Sequence, residues 1–290
     1  MRVGRRQVPD ERFFQRRPMI ARPVANARMY GVAPGALAAW RALFGHVAER
    51  SRVALEIIDH AFPAKLSELW ARADLGCTFI CGWPYSRGVA DVIPIAAPVV
   101  VDARAGGRPV YWTDIVVRAD NPATRLEDLR GQTIAYTVED SQSGFNALRH
   151  FLRGVPGSKP VFARERGPVF TPRRAIEAVI SGEADAGPVD SYAHALLRLY
   201  APELTDRVRV IAQTAPTPCP LLVASARLDA GRVAALRGAF LRLHDDLAAR
   251  PLLSALGLRG FAEPLPSDAY FQMEAIAAEA EALGIHRLEI

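Results

Sequence analysis

Ser141, Gln142, Ser143 and Gly144 follow the strand-like run QTIAYTV and precede the helical spacing Phe145, Leu148, Phe151 and Leu152. Two hydroxyls and a glycine at such a place have two uses. A serine can cap the helix by accepting a backbone N–H of its first turn, and Ser143 is the expected cap. The same hydroxyls, with the unpaired N–H groups of a helix start, can instead wrap an oxyanion, and glycine lets the backbone come close. The motif alone leaves both open. Other chemistries lack their motifs: GxGxxG, GxxxxGK[ST], HExxH, a serine nucleophile elbow and clustered carboxylates are absent from the sequence. No cofactor is expected.

The cysteines add no chemistry of their own. Cys77 and Cys81 lie in LGCTFICG, which reads as a buried strand, and Cys219 is distant. Four residues of strand span ~13 Å, beyond the roughly 7 Å between Cα atoms that a disulfide tolerates. Three cysteines also fail to make a zinc pattern, so they read as small apolar core residues.

The elements that must carry the Ser-rich turn alternate between strand and helix. VANARMY (24–30), VALEIID (53–59) and GCTFIC (76–81) read as strands. Helices follow the first two, around Leu37, Trp40, Phe44 and Val47 and around Leu66, Leu69 and Trp70. GWPYSRG reads as a turn, and VIPIAAPVVV and PVYWTDIVVR as extended segments. After Asn121-Pro122 come one helical turn at LEDLRG, strand 132–138, helix 145–153, helix 173–182, strand 184–190, helix SYAHALLRLY and strand 207–214. APTPCP (215–220) reads as a linker, LLVAS as a strand, and 229–249 and 267–283 as helices.

This alternation predicts an α/β protein with parallel sheets flanked by helices. The composition breaks near 119–125 and 215–219 divide it. Residues 20–118 plus 215–290 form a discontinuous first lobe, and 119–214 an inserted second lobe. Residues 1–19 form a basic arm.

The 290 residues are half apolar and carry a formal charge of +5, and 34 of the 36 basic residues are Arg. A chain this long buries roughly 75% of its unfolded surface without staples. The charge is spread along the chain with no aromatic-interleaved basic face, which argues against a nucleic-acid partner. No apolar run reaches 18 residues, so no membrane insertion is expected. The opening MRVGRRQVPDERFFQRRPMI has no apolar stretch of a secretory leader as written; it reads as a basic arm, an upstream extension or a mis-set start before Met19.

LEDLRGQTIAYTVEDSQSGFNALRHFL, AIEAVISGEADAGPVDSYAHALL and PTPCPLLVASARLDAGRVAALRGAFL, in that order, resemble the phosphate/phosphite/phosphonate-binding proteins of ABC importers. ICGWPY resembles that family's Cys-Gly-aromatic-Pro turn. The resemblance covers roughly residues 20 to 250, with Gln142 where the family commonly has Thr. It implies a two-lobed type II periplasmic-binding-protein fold, each lobe a mainly parallel sheet flanked by helices. It also implies a periplasmic monomer that captures a phosphonate, phosphite or phosphate-like oxyanion between its lobes and hands it to an ABC transporter membrane subunit. Ser141, Gln142, Ser143 and Gly144 match the family's anion loop.

Asp190 ends a strand and starts a helix. It can cap that helix, or accept a hydrogen bond from a protonated oxyanion or from an amine on the ligand and so reject sulfate, since an ionised carboxylate only accepts hydrogen bonds. Tyr30, Trp83 and Tyr85 are the first-lobe ligand candidates, against core or rim packing. His60 is a further donor candidate. An enzyme on the same fold, with His60, Asp190 and Cys81 as reactive groups, and a cytoplasmic ligand sensor are the alternatives.

Overall fold

The computed structural model describes residues 22–155, 161–282 and 287–288. The expected arm at 1–19 lies outside the described residues. The first part holds β1 (Val24–Asn26), a 3-10 turn (Arg28–Tyr30), α1 (Pro34–Ser51), β2 (Glu56–Ile57), α2 (Leu66–Trp70), β3 (Leu75–Ile80), α3 (Gly82–Ser86) and β4 (Val92–Val100). The chain then passes through β5 (Val110–Tyr111) into β6 (Thr113–Arg118), β7 (Gln132–Ala135), α4 (Ala147–Arg153), β8 (Phe162–Arg166) and α5 (Pro172–Ser181). It continues through β9 (Ala186–Asp190), α6 (Ser191–Tyr200), α7 (Pro202–Thr205) and β10 (Val208–Gln213). It returns through β11 (Thr217–Pro218) to β12 (Leu221–Ser225), α8 (Ala230–Leu241), α9 (Arg250–Ala255), β13 (Leu258–Ala262) and α10 (Ser267–Ala282).

Two sheets result, ordered β13-β4-β12-β3-β1-β2 and β10-β6-β9-β7-β8, with β5 and β11 as a two-stranded ribbon between them. Each sheet is the centre of one lobe. The sheets are mixed rather than mainly parallel. In the first, β1 pairs in parallel with β2 and β3, while β12 and β13 run antiparallel to their neighbours. In the second, β7 is parallel to β8 and β9, while β6 is antiparallel to β9 and β10. Of the antiparallel strands, β6 and β12 lie where the chain enters the second lobe and comes back to the first.

Other expectations shift for local reasons. β6, expected in the first lobe, is an inner strand of the second sheet. Two residues of the Pro-rich linker form β11, whose Thr217 and Pro218 pair with Tyr111 and Val110. The expected strand 24–30 stops at Asn26, whose side-chain Oδ1 accepts the Arg28 N–H at 2.8 Å and turns the chain. The expected turn at Gly82 is a short helix, and β13 interrupts the helical C-terminal part.

Continuous apolar runs explain the central strands: β3 and β12 are buried at every residue. Pro34 sits in the first turn of α1, and Thr171 caps α5 by accepting the Arg174 N–H at 3.2 Å. At the crossings, the Arg104 guanidinium lies 4.5 Å from the Trp112 ring and donates to Gln213 Oε1 and the Thr214 carbonyl, each at 2.8 Å. Thr214 Oγ1 in turn accepts the Thr113 N–H at 3.0 Å, so both crossings are tied to each other.

Candidate functional site

A cleft of about 580 Å³ lies between the lobes. Its first-lobe wall comes from residues 28–32, the 62–70 segment and the β3–α3 junction; its second-lobe wall comes from 137–144, 170–173 and the end of β9. The polar part of that wall is the Ser-rich turn. Ser141 is extended, and its Oγ accepts the Gly144 N–H at 3.0 Å. The next turn is wide: the Asn146 N–H donates to the Ser141 carbonyl, five residues back, before α4 continues as ordinary helix. The Ser143 carbonyl accepts Thr113 Oγ1 at 2.8 Å, which fixes the turn to β6.

Thr137 completes this wall. The residue lines the cleft, and its hydroxyl is buried with no hydrogen-bond partner among the described residues. A Cβ on Gly144 would stand 1.8 Å from Thr137 Oγ1 and 3.0 Å from Ser141 Oγ, so glycine here is demanded by close packing of hydroxyls. Ser141 spends its oxygen on Gly144, which leaves its own proton to donate outward. Thr137, Ser141 and Ser143 therefore line one wall of the cleft beside a helix start, a residue set suited to an oxyanion.

Asp190 stands opposite in role. Its Oδ1 accepts the N–H groups of Tyr192 and Ala193, both at 2.9 Å, so it caps α6. Its Oδ2 accepts the Tyr30 hydroxyl at 3.2 Å, a bond between the lobes. Burial pushes the Asp190 carboxyl up to about 7, against the pull of its N–H and Tyr30 donors. In its ionised form the carboxylate can only accept a hydrogen bond from a ligand. Burial likewise pushes the Cys81 thiol up to about 12, which leaves it a poor nucleophile near neutral pH.

Residues 34–269 match the model of the phosphonate periplasmic substrate-binding proteins of ABC transporters. The chain belongs to this family. Among solved structures, a binding-protein component of an ABC phosphonate transporter from Pseudomonas aeruginosa is similar at TM-score 0.73 and 16% identity, over 92% of this chain and 95% of that one. PhnD1 from Prochlorococcus marinus, in complex with methylphosphonate, is similar at TM-score 0.72 and 16% identity, over 90% and 98%. A Xanthomonas citri protein bound to chloride ion follows at TM-score 0.62 and 20% identity, over 91% and 99%. No curated protein matches the chain. The likenesses establish the two-lobed type II fold. The family is a substrate-binding transporter component rather than an enzyme, and it is periplasmic. No helix among the described residues is long and apolar enough to cross a membrane, and no cluster there could hold a metal ion.

In this phosphonate-family chain, Ser141, Ser143, Gly144 and Asp190 border the cleft as a group. The cap of the turn is Ser141 rather than Ser143. Gln142 is fully buried with its Oε1 accepting the Asn146 Nδ2 at 2.9 Å, so its side chain turns away from the cleft. Tyr30 is buried behind the lining and reaches Asp190 only through its hydroxyl. Trp83 and Tyr85 are covered by a neighbour: Trp83 is buried in an apolar cluster with Phe145 and Met273, and Tyr85 packs edge-on against Tyr270 at 5.4 Å. His60 bonds the Lys65 carbonyl at 2.8 Å, away from the lining. Thr137 escaped the sequence reading because it lies inside the strand-like run. Its place three residues after Ile134, at the sheet's carboxyl edge, was the available signal.

Proposed function

We propose that this chain captures a phosphonate-like oxyanion in the cleft between its lobes for delivery to an ABC transporter in the periplasm. The observation that carries the reading is the buried, unpartnered Thr137 hydroxyl beside Ser141 and Gly144, because a buried hydroxyl without a partner is costly unless a ligand supplies one. Asp190 gives the cleft its selectivity in this reading. A monoprotonated phosphonate, phosphite or phosphate can donate to it, whereas sulfate brings a second negative charge with no proton.

A thermal-shift panel of phosphate, phosphite, methylphosphonate, sulfonates and sulfate tests this, because a ligand that binds only the native state raises its melting temperature. Stabilisation by the phosphorus oxyanions and none by sulfate is the expected pattern. Equal response to sulfate would remove the role of Asp190, and no response to any oxyanion would remove the reading itself. Recovery of the native protein in the periplasmic fraction of its host is the matching expectation for location.

A further inference from the structure

The hydroxyl wall occupies a small part of the cleft. A volume of about 580 Å³ falls within the ~300–1,000 Å³ of pockets that enclose drug-sized ligands. An ion as small as methylphosphonate displaces a handful of waters, at about 30 Å³ each. Much of the remaining lining is apolar, with Met29, Val32, Leu66 and Trp70 on the first lobe and Val138 and Pro188 on the second. The lining carboxylates, Asp140 and Asp190, both belong to the second lobe beside the hydroxyls, while the charged groups on the first-lobe wall are Arg28 and Lys65. An amine reaching toward the first lobe would meet cations. An apolar group would meet matching surface.

Phe62 and Phe170 stand at this cleft from opposite lobes. Their ring centroids are 4.9 Å apart, yet the two residues remain 37% and 45% exposed. The Arg174 guanidinium lies 4.6 Å from the Phe62 ring. Phe170 has φ of 71°, a left-handed backbone that a bulky residue holds only where its surroundings enforce it, and such outliers gather at ligand clamps. Its N–H donates to the Thr137 carbonyl at 2.9 Å, which ties this aromatic to the residue bearing the unpartnered hydroxyl.

We propose that the ligand carries a ring-sized or larger apolar group next to its oxyanion, and that Phe62 and Phe170 are the specificity-determining pair that covers it. The proposal rests on the oxyanion reading above. The anion sits at Thr137 and Ser141, its substituent lies along Met29, Leu66 and Trp70, and the phenylalanine pair shuts water out over it. Rings from both lobes then make cleft closure depend on the substituent as well as on the anion.

Calorimetric titration of the full chain with inorganic phosphate, methylphosphonate, 2-aminoethylphosphonate and phenylphosphonate tests this. Phenylphosphonate is expected to bind about tenfold or more tightly than the other two phosphonates, since it alone buries a ring. In the Phe62→Ala/Phe170→Ala double variant that ratio should fall about threefold or more, leaving only what Met29, Leu66 and Trp70 contribute; both side chains are exposed, and a circular dichroism spectrum checks the fold. Methyl- or aminoethylphosphonate binding as tightly as phenylphosphonate would overturn the proposal while leaving the oxyanion reading intact. A ratio unchanged in the double variant would overturn the assignment to the phenylalanine pair. Failure of every oxyanion, phosphate included, would overturn both at once, a result distinct from equal binding.

Discussion

Two strand-to-helix junctions meet between the lobes, and they differ in what fills the space beside their glycines. In the first lobe β3 runs through Cys81 into α3; in the second β7 runs past Thr137 and the wide turn into α4. A Cβ on Gly82 would stand 2.5 Å from Met273 Sδ, and one on Gly144 would stand 1.8 Å from Thr137 Oγ1. Neither glycine has a positive φ, so both are there for close approach. The first junction is sealed by α10 and buries an apolar cluster; the second presents hydroxyls to the cleft. α10 holds the back of the second junction too, where the Asn146 Nδ2 donates to the Met273 carbonyl at 2.9 Å. The same backbone plan becomes packing or binding according to whether the atoms facing the glycine are apolar and covered by α10, or the hydroxyl groups of residues lining the cleft.

The pair Gly144→Ala and Gly82→Ala probes that contrast most forcefully. Overpacking costs about 1–3 kcal/mol. Gly82→Ala falls at the low end, because the Met273 thioether is flexible and can swing aside. Gly144→Ala drives a methyl into a hydroxyl held on the wall of the cleft. Both variants should unfold at lower urea than the parent, but Gly144→Ala should also lose measurable binding of methylphosphonate in a titration, and Gly82→Ala should retain it. Equal loss of binding in the two would erase the distinction between the junctions.

Thr137→Val is the next largest effect. It keeps the shape and removes the unpartnered hydroxyl. A hydrogen bond to a charged group contributes about 1.5–3 kcal/mol, so oxyanion affinity should fall roughly 10- to 100-fold. Stability should hold or rise, because the variant no longer buries a hydroxyl without a partner. A matched fall in stability with unchanged affinity, read by urea unfolding and calorimetry, would make Thr137 a structural residue and move the site elsewhere.

How much of this was legible in the sequence follows from the range of the forces involved. Runs such as LGCTFI and LLVAS announce buried strands because only Thr78 and Ser225 interrupt them with a polar side chain, and Thr171-Pro172 announces a helix start. β8 (FARER) was invisible because it is an outer strand with mostly solvent-facing charged side chains. Strand direction was misread because β6 and β12 owe theirs to the crossings between lobes, which no local pattern encodes. In the site, the serines and Asp190 were legible as polar groups at strand ends. Trp83 and Tyr85 were not, because α10, from the far end of the chain, covers them. Thr137 and the Phe62–Phe170 pair were not, because an unpartnered hydroxyl and a ring contact between lobes exist only in three dimensions.

Asp190→Asn sharpens the comparison on its electrostatic side. Asn is as good a helix cap as Asp, so the α6 cap should survive. Binding of monoprotonated oxyanions should weaken about tenfold, with sulfate discrimination relaxed. The folded Asp190 carboxyl sits at about 7, against roughly 3.9 in an unfolded chain. Between those values the folded state keeps a proton that the unfolded state has released. The contribution of this group to stability is therefore greatest below about pH 4, declines as pH rises toward 7, and is flat above. Melting temperatures of parent and variant across pH 4 to 8 should converge at the acid end and diverge in favour of the variant near pH 7. Parallel curves would mean that Asp190 is not held in a desolvated place.

The smallest effects separate the two serines. Ser141 Oγ accepts the Gly144 N–H, so Ser141→Ala should lose the usual ~1 kcal/mol of a helix cap. Ser143 holds the turn through its carbonyl, which takes the Thr113 hydroxyl, and that bond does not need the serine side chain. Ser143→Ala should therefore lower the urea midpoint less than Ser141→Ala does, losing only the contact of its hydroxyl with the buried Tyr111. Both variants remove a hydroxyl from the cleft wall, so both should weaken oxyanion binding, and Ser141→Ala should weaken it further by loosening the turn that presents Thr137. The decisive quantity is the difference between the two serines in stability set against their difference in affinity. A cap with no part in binding would give a stability loss at Ser141 and no affinity loss at either position, and the second junction would then be packing, like the first.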